Sequence, residues 1–227
     1  MSYIPASRRA WSASDDYSGP RPGPNDRTIS VTNLINAPRI VRLASLYRAE
    51  LPGDIAGEDT WRLLGTAVHG ALERAAPYAD PPPLLVEHRA FTEVSGWTLS
   101  GQIDVLEADG TLVDYKVTSS WSVSDGRQGK GEWSSQLNVL KWLLERSGAV
   151  PRGVIRSLAV WCICRDWSAT QAGRDNGYPQ AQEVAIPLPI WGEDETFRYV
   201  TERLALHEAA RHSLPECTPE AEDARPL

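Results

Sequence analysis

Apolar positions recur at helical spacing in four stretches of this chain. The first begins at Ser30 or Thr32, since either hydroxyl can cap a helix, and is predicted to run to about Glu50. Its predicted buried stripe consists of Leu34, Ile40, Leu43 and Leu46. The other three helices are predicted over about residues 57–76, 132–146 and 193–212.

Five short segments rich in β-branched and aromatic residues lie between these helices. Three follow one another closely, at about residues 84–93, 97–107 and 111–118, and turn-forming residues separate them, which predicts an antiparallel meander. Two more strands are predicted at about 153–164 and 183–190. This order of helices, antiparallel strands, helix and strand predicts an α/β fold with a mixed β-sheet flanked by helices.

The two ends of the chain differ in composition from its middle. Residues 12–26 are rich in Ser, Gly, Pro and Asp, and residues 215–227 are acidic and contain proline. We therefore predict a flexible arm over residues 1–28, a folded domain over 29–213 and an acidic tail over 214–227. A length of 227 residues suits one domain with such appendages.

The composition is typical of a globular protein, with 41% hydrophobic and 23% charged residues. No apolar stretch approaches the ~20 residues of a membrane-spanning helix. Arg8 and Arg9 precede no apolar run, so the beginning of the chain does not have the pattern of a secretory signal. Three cysteines are an odd and sparse set that offers no disulfide framework. We expect a cytoplasmic protein without a membrane partner.

The net charge of -7 is concentrated in the last quarter of the chain. Residues 1–174 carry 19 basic and 19 acidic side chains, whereas residues 175–227 carry 4 and 11. Residues 1–174, the body of the chain, are therefore neutral overall. If metal ions neutralise several body carboxylates, the remaining surface is effectively basic, which leaves nucleic acid open as a partner.

A β-hairpin over residues 100–116 carries the most informative chemistry. Asp109-Gly110 indicates a turn, with either a two-residue loop or a three-residue loop that has Gly110 in the left-handed conformation. Only the three-residue loop aligns the apolar face of the first strand with that of the second. In that register Asp104 lies directly opposite Asp114, and Lys116 projects from the same face.

Two facing carboxylates repel each other unless a cation lies between them, and this predicts a metal site. Hard oxygen ligands favour magnesium or manganese, and the ammonium group of Lys116 is suited to hold an attacking water or to stabilise developing negative charge. The chain has only three lysines, at positions 116, 130 and 141. The alternative is that Asp104 and Asp114 are solvated residues on the polar face of an amphipathic hairpin.

Four motifs follow one another in the order Gly65-Thr-Ala-Val-His69, Asp104, Asp114-Tyr-Lys116 and Gln136. They fall on a helix, two successive strands and a helix. In this order the chain resembles the RecB-type branch of the PD-(D/E)XK nuclease superfamily, including its CRISPR-associated RecB-like exonucleases. The resemblance covers about residues 30–145 and implies a restriction-endonuclease-like core. It departs from the family pattern at Leu140, where the family prefers tyrosine.

The resemblance also implies roles for individual residues. His69, Asp104, Asp114 and the Tyr115 carbonyl oxygen are the implied ligands of one or two divalent ions. Lys116 would position the attacking water or stabilise the charge on the phosphorus centre. Independently of the resemblance, Glu87 heads the first strand of the meander and could supply another carboxylate to the catalytic metals or to the residues around them. It is equally consistent with a solvated residue at a strand edge. His69 has a structural alternative as a core histidine, and Gly65 would permit close approach of its helix to the sheet.

Nucleic-acid contacts are predicted in the segment between the hairpin and the next helix. Trp121 and Trp133 offer indole rings for stacked bases, and Arg127 and Lys130 between them offer charge for phosphates, a pairing suited to single strands. The alternative is that these tryptophans fill the core. By resemblance Gln136 also contacts DNA, although an ordinary exposed helical glutamine is an open alternative.

Related proteins that carry an iron-sulfur cluster have one cysteine at the position of Ala37 and three more near the C-terminus, where this chain has only Cys217. We therefore predict no cluster. The resemblance implies a metal-dependent deoxyribonuclease, in particular an exonuclease acting on single-stranded DNA or duplex ends. Its setting would be prokaryotic or phage DNA recombination, repair or processing, with recombination or repair proteins as partners. Two alternatives are a catalytically silent nucleic-acid-binding or assembly subunit and a phosphoesterase for small nucleotides.

Overall fold

A computed structural model describes residues 11, 23, 25–47, 58–124 and 131–214 of the chain. The helices are α1 (Val31–Ile35), α2 (Pro38–Leu46), α3 (Glu58–Ala75), α4 (Gly131–Ser147), α5 (Ala169–Ala172) and α6 (Glu193–His212). The strands are β1 (Thr28–Ser30), β2 (Leu85–Val86), β3 (Arg89–Val94), β4 (Trp97–Gln102), β5 (Val105–Leu106), β6 (Thr111–Thr118), β7 (Ser157–Cys164) and β8 (Glu183–Leu188). Short 3-10 turns cover Ala76–Tyr78 and Ser120–Val123.

The strands form two mixed sheets, which confirms the predicted α/β class with flanking helices. The smaller sheet has the order β1-β4-β3, with β1 parallel and β3 antiparallel to β4. The larger has the order β2-β5-β6-β7-β8, with β6 and β7 parallel and the other pairs antiparallel. The sequence predicted one sheet. Two sheets form because the predicted strands 84–93 and 97–107 are each divided into two strands, one in each sheet.

The first two strands of the predicted meander bend together from one sheet into the other. The predicted strand 84–93 is interrupted between β2 and β3, and the predicted strand 97–107 is interrupted between β4 and β5. Hydrogen bonds nevertheless continue through the bend, from Glu87 N to Asp104 O at 2.8 Å and from Ile103 N to His88 O at 3.0 Å. Glu87 has a φ of 46°, a left-handed conformation that a non-glycine residue adopts only at a cost in strain.

The β5–β6 hairpin has the predicted register. Val105 pairs with Val113 and Leu106 with Leu112. The loop is closed by a hydrogen bond from Glu107 N to Thr111 O at 2.9 Å, and Gly110 has a φ of 87°. The three-residue loop with a left-handed glycine is therefore confirmed.

The predicted first helix is two helices. Ser30 caps α1, because its hydroxyl oxygen accepts a hydrogen bond from Asn33 N at 3.1 Å. The chain then leaves the helical conformation before Pro38, which restricts the residue ahead of it and starts α2. Leu34 is fully buried as predicted. Ile40 is 47% exposed and Leu46 44% exposed, so the predicted buried stripe was wrong at these two positions, and Leu43 is only partly buried.

The hydrophobic core lies between helix α4 and the strands of both sheets. Helix α4 packs on β3, β4, α1 and α6, and its buried residues include Leu137, Leu140 and Leu143. Gly101 in β4 lies against this helix so closely that a Cβ there would be 2.5 Å from Cδ2 of Leu140. Within the described residues, no helix combines the length and the apolar character needed to cross a membrane.

His207 on α6 makes the stability of the fold dependent on pH. Its side chain is buried, and Nε2 lies 3.1 Å from the Leu34 carbonyl oxygen. Burial is the main cause that lowers the pKa of His207 to about 4. The hydrogen bond to the Leu34 carbonyl oxygen acts to raise this pKa, and the positive charge of Arg203 acts to lower it. As the pH falls below the unfolded value of about 6.5, the unfolded chain gains a proton that the folded chain excludes.

We therefore expect the free energy of unfolding to fall by about 2 kcal/mol between pH 7 and pH 5 because of His207 alone. Urea denaturation of wild type and His207→Gln at both pH values measures this. The variant, which keeps a hydrogen-bond donor but has no titrating group, is expected to lose that part of the pH dependence. Equal pH dependence in the two proteins would contradict the assignment.

Candidate metal centre

The bend between the two sheets places three acidic residues in one row across neighbouring strands. Glu87 lies opposite Asp104, since the backbone hydrogen bond between them continues the β2–β5 and β3–β4 pairing. Extending the β5–β6 register by one residue places Asp104 opposite Asp114. Asp104 is therefore the middle carboxylate of the row.

The backbone of Tyr115 is bound by side chains because its partner strand turns away. The pairing of β5 with β6 ends at Val105. Ile103, which would otherwise lie opposite Tyr115, donates its N–H to His88 O instead. The N–H of Tyr115 donates instead to Asp104 Oδ2 at 2.6 Å, and its carbonyl oxygen lies 3.1 Å from His69 Nε2. Buried backbone groups require partners, so this arrangement fixes both Asp104 and His69 against β6.

His69, Glu87 and Asp104 form a compact group of potential metal ligands. One ligand atom from each lies within 4.8 Å of the others. Nδ1 of His69 is 3.5 Å from Asp104 Oδ1 and 3.7 Å from Glu87 Oε1. Hydrogen bonds to Asp104 and then Glu87 raise the pKa of His69 to about 10, so without a metal the imidazolium compensates the two carboxylates.

Asp114 lies beside this group and is paired with Lys116. The Lys116 Nζ is 2.8 Å from Asp114 Oδ2, and Gln136 Nε2 donates to Asp114 Oδ1 at 3.0 Å. Asp114 is only 5% exposed, and burial raises its pKa although Lys116 acts in the opposite direction. Burial alone would lower the pKa of Lys116, but the charge of Asp114 outweighs it and keeps the ammonium protonated. The alternative of solvated aspartates therefore does not hold for Asp114.

The donor set fits a hard divalent ion. Two carboxylates and one imidazole converge, and the Tyr115 carbonyl oxygen lies at the other nitrogen of that imidazole. Oxygen-rich ligand sets with few imidazoles suit magnesium or manganese. In addition, Asp114 Oδ2 is buried, and the Lys116 ammonium group 2.8 Å away compensates its negative charge, with a further contribution from the charge of His69. Asp114 is not a member of the compact group, and its role as a ligand stays a prediction.

Glu87 is held by residues that the sequence reasoning did not identify. Gln102 Nε2 donates to Glu87 Oε2 at 2.6 Å, and Arg89 donates to Gln102 Oε1. The signal was present in the sequence, because a two-residue turn at Ser95-Gly96 pairs Val94 with Trp97. Counting back from that turn places Glu87 opposite Asp104 and Arg89 opposite Gln102.

One prediction about the helices that flank the site requires correction. A Cβ at Gly65 would meet no atom within 4 Å, so this glycine does not serve a close approach to the sheet. Helix α3 reaches the sheet instead through His69, whose ring packs edge-to-face on Tyr115 with centroids 5.9 Å apart. Leu140, where the resembling family prefers tyrosine, is a buried core residue packed against Gly101.

The predicted nucleic-acid residues that the structure describes, Trp121, Trp133 and Gln136, do not form one surface. Trp133 is 7% exposed and belongs to the core, so the predicted stacking role for this residue was wrong. Trp121 is 58% exposed, and Gln136 is engaged with Asp114. Arg127 and Lys130 lie outside the described residues.

No family model matches this chain, and no curated protein matches it. Among solved structures it is similar to SSO0001, at 20% identity over 85% of this chain and 80% of that chain, with a TM-score of 0.54. It also matches an alkaline exonuclease, LHK-Exo from Laribacter hongkongensis, at 14% identity over 82% and 91% of the two chains, with a TM-score of 0.45. A third match is a protein named "Putative exonuclease" from Eubacterium rectale, at 10% identity over 87% and 74%, with a TM-score of 0.41. The similarity to SSO0001 is one of fold.

Proposed function

We propose that residues 29–213 form a divalent-metal-dependent nuclease domain that hydrolyses phosphodiester bonds in DNA. The observation that carries the proposal is the convergence at Tyr115. Its N–H and carbonyl oxygen are bound by Asp104 and His69, at 2.6 and 3.1 Å, next to the ion pair that the buried Asp114 forms with Lys116. The order of these residues along the chain is that of the RecB-type pattern it resembles.

Each residue has a separate task in this proposal. His69, Glu87, Asp104 and the Tyr115 carbonyl oxygen would hold magnesium or manganese, and Asp114 would complete the set. A divalent ion at such a site polarises the scissile phosphate and lowers the pKa of a bound water. Lys116, held protonated by Asp114, supplies positive charge where negative charge develops on the phosphate oxygens.

Neighbouring side chains keep these groups in position. Gln136 fixes the carboxylate of Asp114 from helix α4, and Gln102 fixes that of Glu87 from strand β4. No covalent intermediate with the protein is required, because the attacking group is water. We infer exonuclease action, on single strands or duplex ends, in prokaryotic or phage DNA recombination, repair or processing.

The test is hydrolysis of labelled single-stranded, duplex and circular DNA with magnesium or manganese, compared with hydrolysis in excess chelator. We expect Lys116→Ala to reduce the rate by about 100-fold or more, because one preorganised charge at the developing anion is lost. Lys141→Ala is the matched control, since Lys141 pairs with Glu145 on α4 and takes no part in the site. Equal rates for wild type and Lys116→Ala would refute the role of Lys116.

The same assay separates the alternatives. DNA binding without hydrolysis under any metal would favour a silent binding subunit. Hydrolysis of mononucleotide esters without action on oligomers would favour a small-nucleotide phosphoesterase. Products from linear but not from circular DNA would support the exonuclease assignment.

A further inference from the structure

A tryptophan–arginine stack lies on helix α3, two turns before the proposed metal ligand His69. The guanidinium carbon of Arg165 is 4.0 Å from the centroid of the Trp61 ring. Trp61 is nevertheless 48% exposed. An indole that is covered by a guanidinium on one face and still half exposed offers its remaining surface to another planar group.

The stack and the proposed metal centre both lie where helix α3 runs beside strand β6. Helix α3 contacts strand β6, with His69 at Tyr115. Arg165 lies at the carboxyl end of the same strand, because its N–H donates to Thr118 O at 2.9 Å. Eight residues of helix separate Trp61 from His69, which corresponds to about 12 Å along the helix axis.

Midway between these two points the helix carries no side chain. Gly65 lies midway between Trp61 and His69 and on the same side of the helix. A Cβ at Gly65 would meet no atom within 4 Å. The absence of a side chain there leaves a path along α3 from the indole to the metal ligands.

A second exposed indole lies at the same end of the sheet. Trp121 is 58% exposed and directly follows Ser120. Ser120 N donates to Asp166 Oδ1 at 2.6 Å, and Asp166 is the neighbour of Arg165 in the chain. Aromatic rings combined with cationic charge are the usual means of binding single strands without sequence preference.

We propose that Trp61, backed by Arg165, is a stacking subsite for a base of single-stranded DNA whose backbone passes over Gly65 to the metal centre. This inference rests on the proposed nuclease function, since it assigns the path of the substrate. At about 3.4 Å per stacked nucleotide, 12 Å corresponds to about four nucleotides. The base at Trp61 is therefore about four nucleotides or fewer from the bond that is cleaved.

Binding is measured by the fluorescence anisotropy of a labelled oligothymidylate in chelator, which prevents cleavage. We expect Trp61→Ala to raise the Kd by about 5- to 150-fold, which is the range for loss of one stacked base. Trp61→Tyr is expected to restore most of the affinity, because the phenol ring can stack. Tyr78→Ala is the matched control, because Tyr78 is an exposed aromatic residue beyond the other end of the helix.

Kinetics provide a second, independent readout. Trp61→Ala should raise KM for long single strands with little change in kcat, and should leave hydrolysis of a dinucleotide unchanged, since a dinucleotide does not reach the indole. Gly65→Leu should likewise raise KM for long strands, because its side chain would stand in the path. The slope of log Kd against log salt should be the same in Trp61→Ala as in wild type, because stacking displaces no counterions.

The outcomes distinguish this subsite from the nuclease function itself. A folded Trp61→Ala protein that binds oligothymidylate as tightly as wild type would overturn the subsite and leave the nuclease proposal intact. Equal losses of affinity in Trp61→Ala and Trp61→Tyr would also overturn it. If wild type hydrolyses no substrate with any metal, the nuclease proposal fails, and the anisotropy measurement still decides whether Trp61 binds a base.

Discussion

Asp104→Asn is expected to reduce metal-dependent hydrolysis by at least about 1,000-fold. Asp104 is the middle carboxylate of its row, and its two oxygens have different partners. Oδ2 accepts the Tyr115 N–H at 2.6 Å, and Oδ1 faces His69 Nδ1 at 3.5 Å. Asparagine removes the charge and replaces one acceptor by a donor, so either the Tyr115 N–H or the metal loses its oxygen. Stabilisation by a metal is worth several kcal/mol, and each 1.36 kcal/mol is tenfold in rate.

The measurement is the single-turnover rate of DNA cleavage with saturating enzyme, together with calorimetric titration of magnesium or manganese. Glu93→Gln is the matched control, because it removes one negative charge from a surface position on β3. We expect Glu93→Gln to cleave DNA and bind metal as wild type does. If Asp104→Asn retains both rate and metal heat while remaining folded, the metal centre has been assigned to the wrong residues.

The facing of Asp104 and Asp114 could be predicted from sequence because a single turn determines it. The left-handed residue of the loop is glycine, and one residue more or less would transfer every side chain of the strand to the other face. The same reasoning applies to Ser95-Gly96, which fixes Glu87 opposite Asp104. Local turn chemistry and strand counting therefore contain most of the information about the acidic row.

The alternation of apolar residues in the hairpin predicted burial less well than the turn predicted the register. The sequence pattern makes Val113, Tyr115 and Val117 the apolar face of the second hairpin strand. In the structure, Leu112 and Asp114 on the other face are more deeply buried. Strand β6 lies inside its sheet with helices near both faces, and such strands do not alternate cleanly between apolar and polar positions. The burial of Asp114, and with it the raised pKa, therefore depends on long-range packing.

Long-range packing also explains the errors outside the hairpin. The bend that divides the meander depends on the left-handed backbone conformation of Glu87. A glutamate rarely adopts this conformation, and no local sequence pattern predicts it. Trp133 is buried because α4 packs on the smaller sheet, whose existence follows from that bend. Ile40 is exposed because α2 begins anew at Pro38. In each case the local sequence pattern did not contain the information about the packing partner.

Gly110→Ala is expected to lower the free energy of unfolding by about 3 kcal/mol or more. Gly110 has a φ of 87°, which costs a residue with a side chain about 1 kcal/mol or more. A Cβ at this position would also lie 2.3 Å from the backbone oxygen of Val154, and backbone cannot rotate aside. Relieving such overlap costs typically about 1–3 kcal/mol more. In a protein of this size, Tm should fall by about 6–12 °C.

Gly153→Ala separates the two causes. Gly153 has a similar φ of 81°, but a Cβ there would meet no atom within 4 Å, so this variant reports the backbone cost alone. We expect thermal unfolding to show a clearly larger loss for Gly110→Ala, because Gly110 O also accepts the Arg156 N–H at 2.8 Å and thereby docks the turn beside β7. Since this turn sets the register that opposes Asp104 to Asp114, its displacement should reduce DNA hydrolysis as well. Equal losses of Tm in the two variants would mean that Gly110 does not pack against Val154. The pairing between strands β5 and β6 alone would then determine the hairpin register.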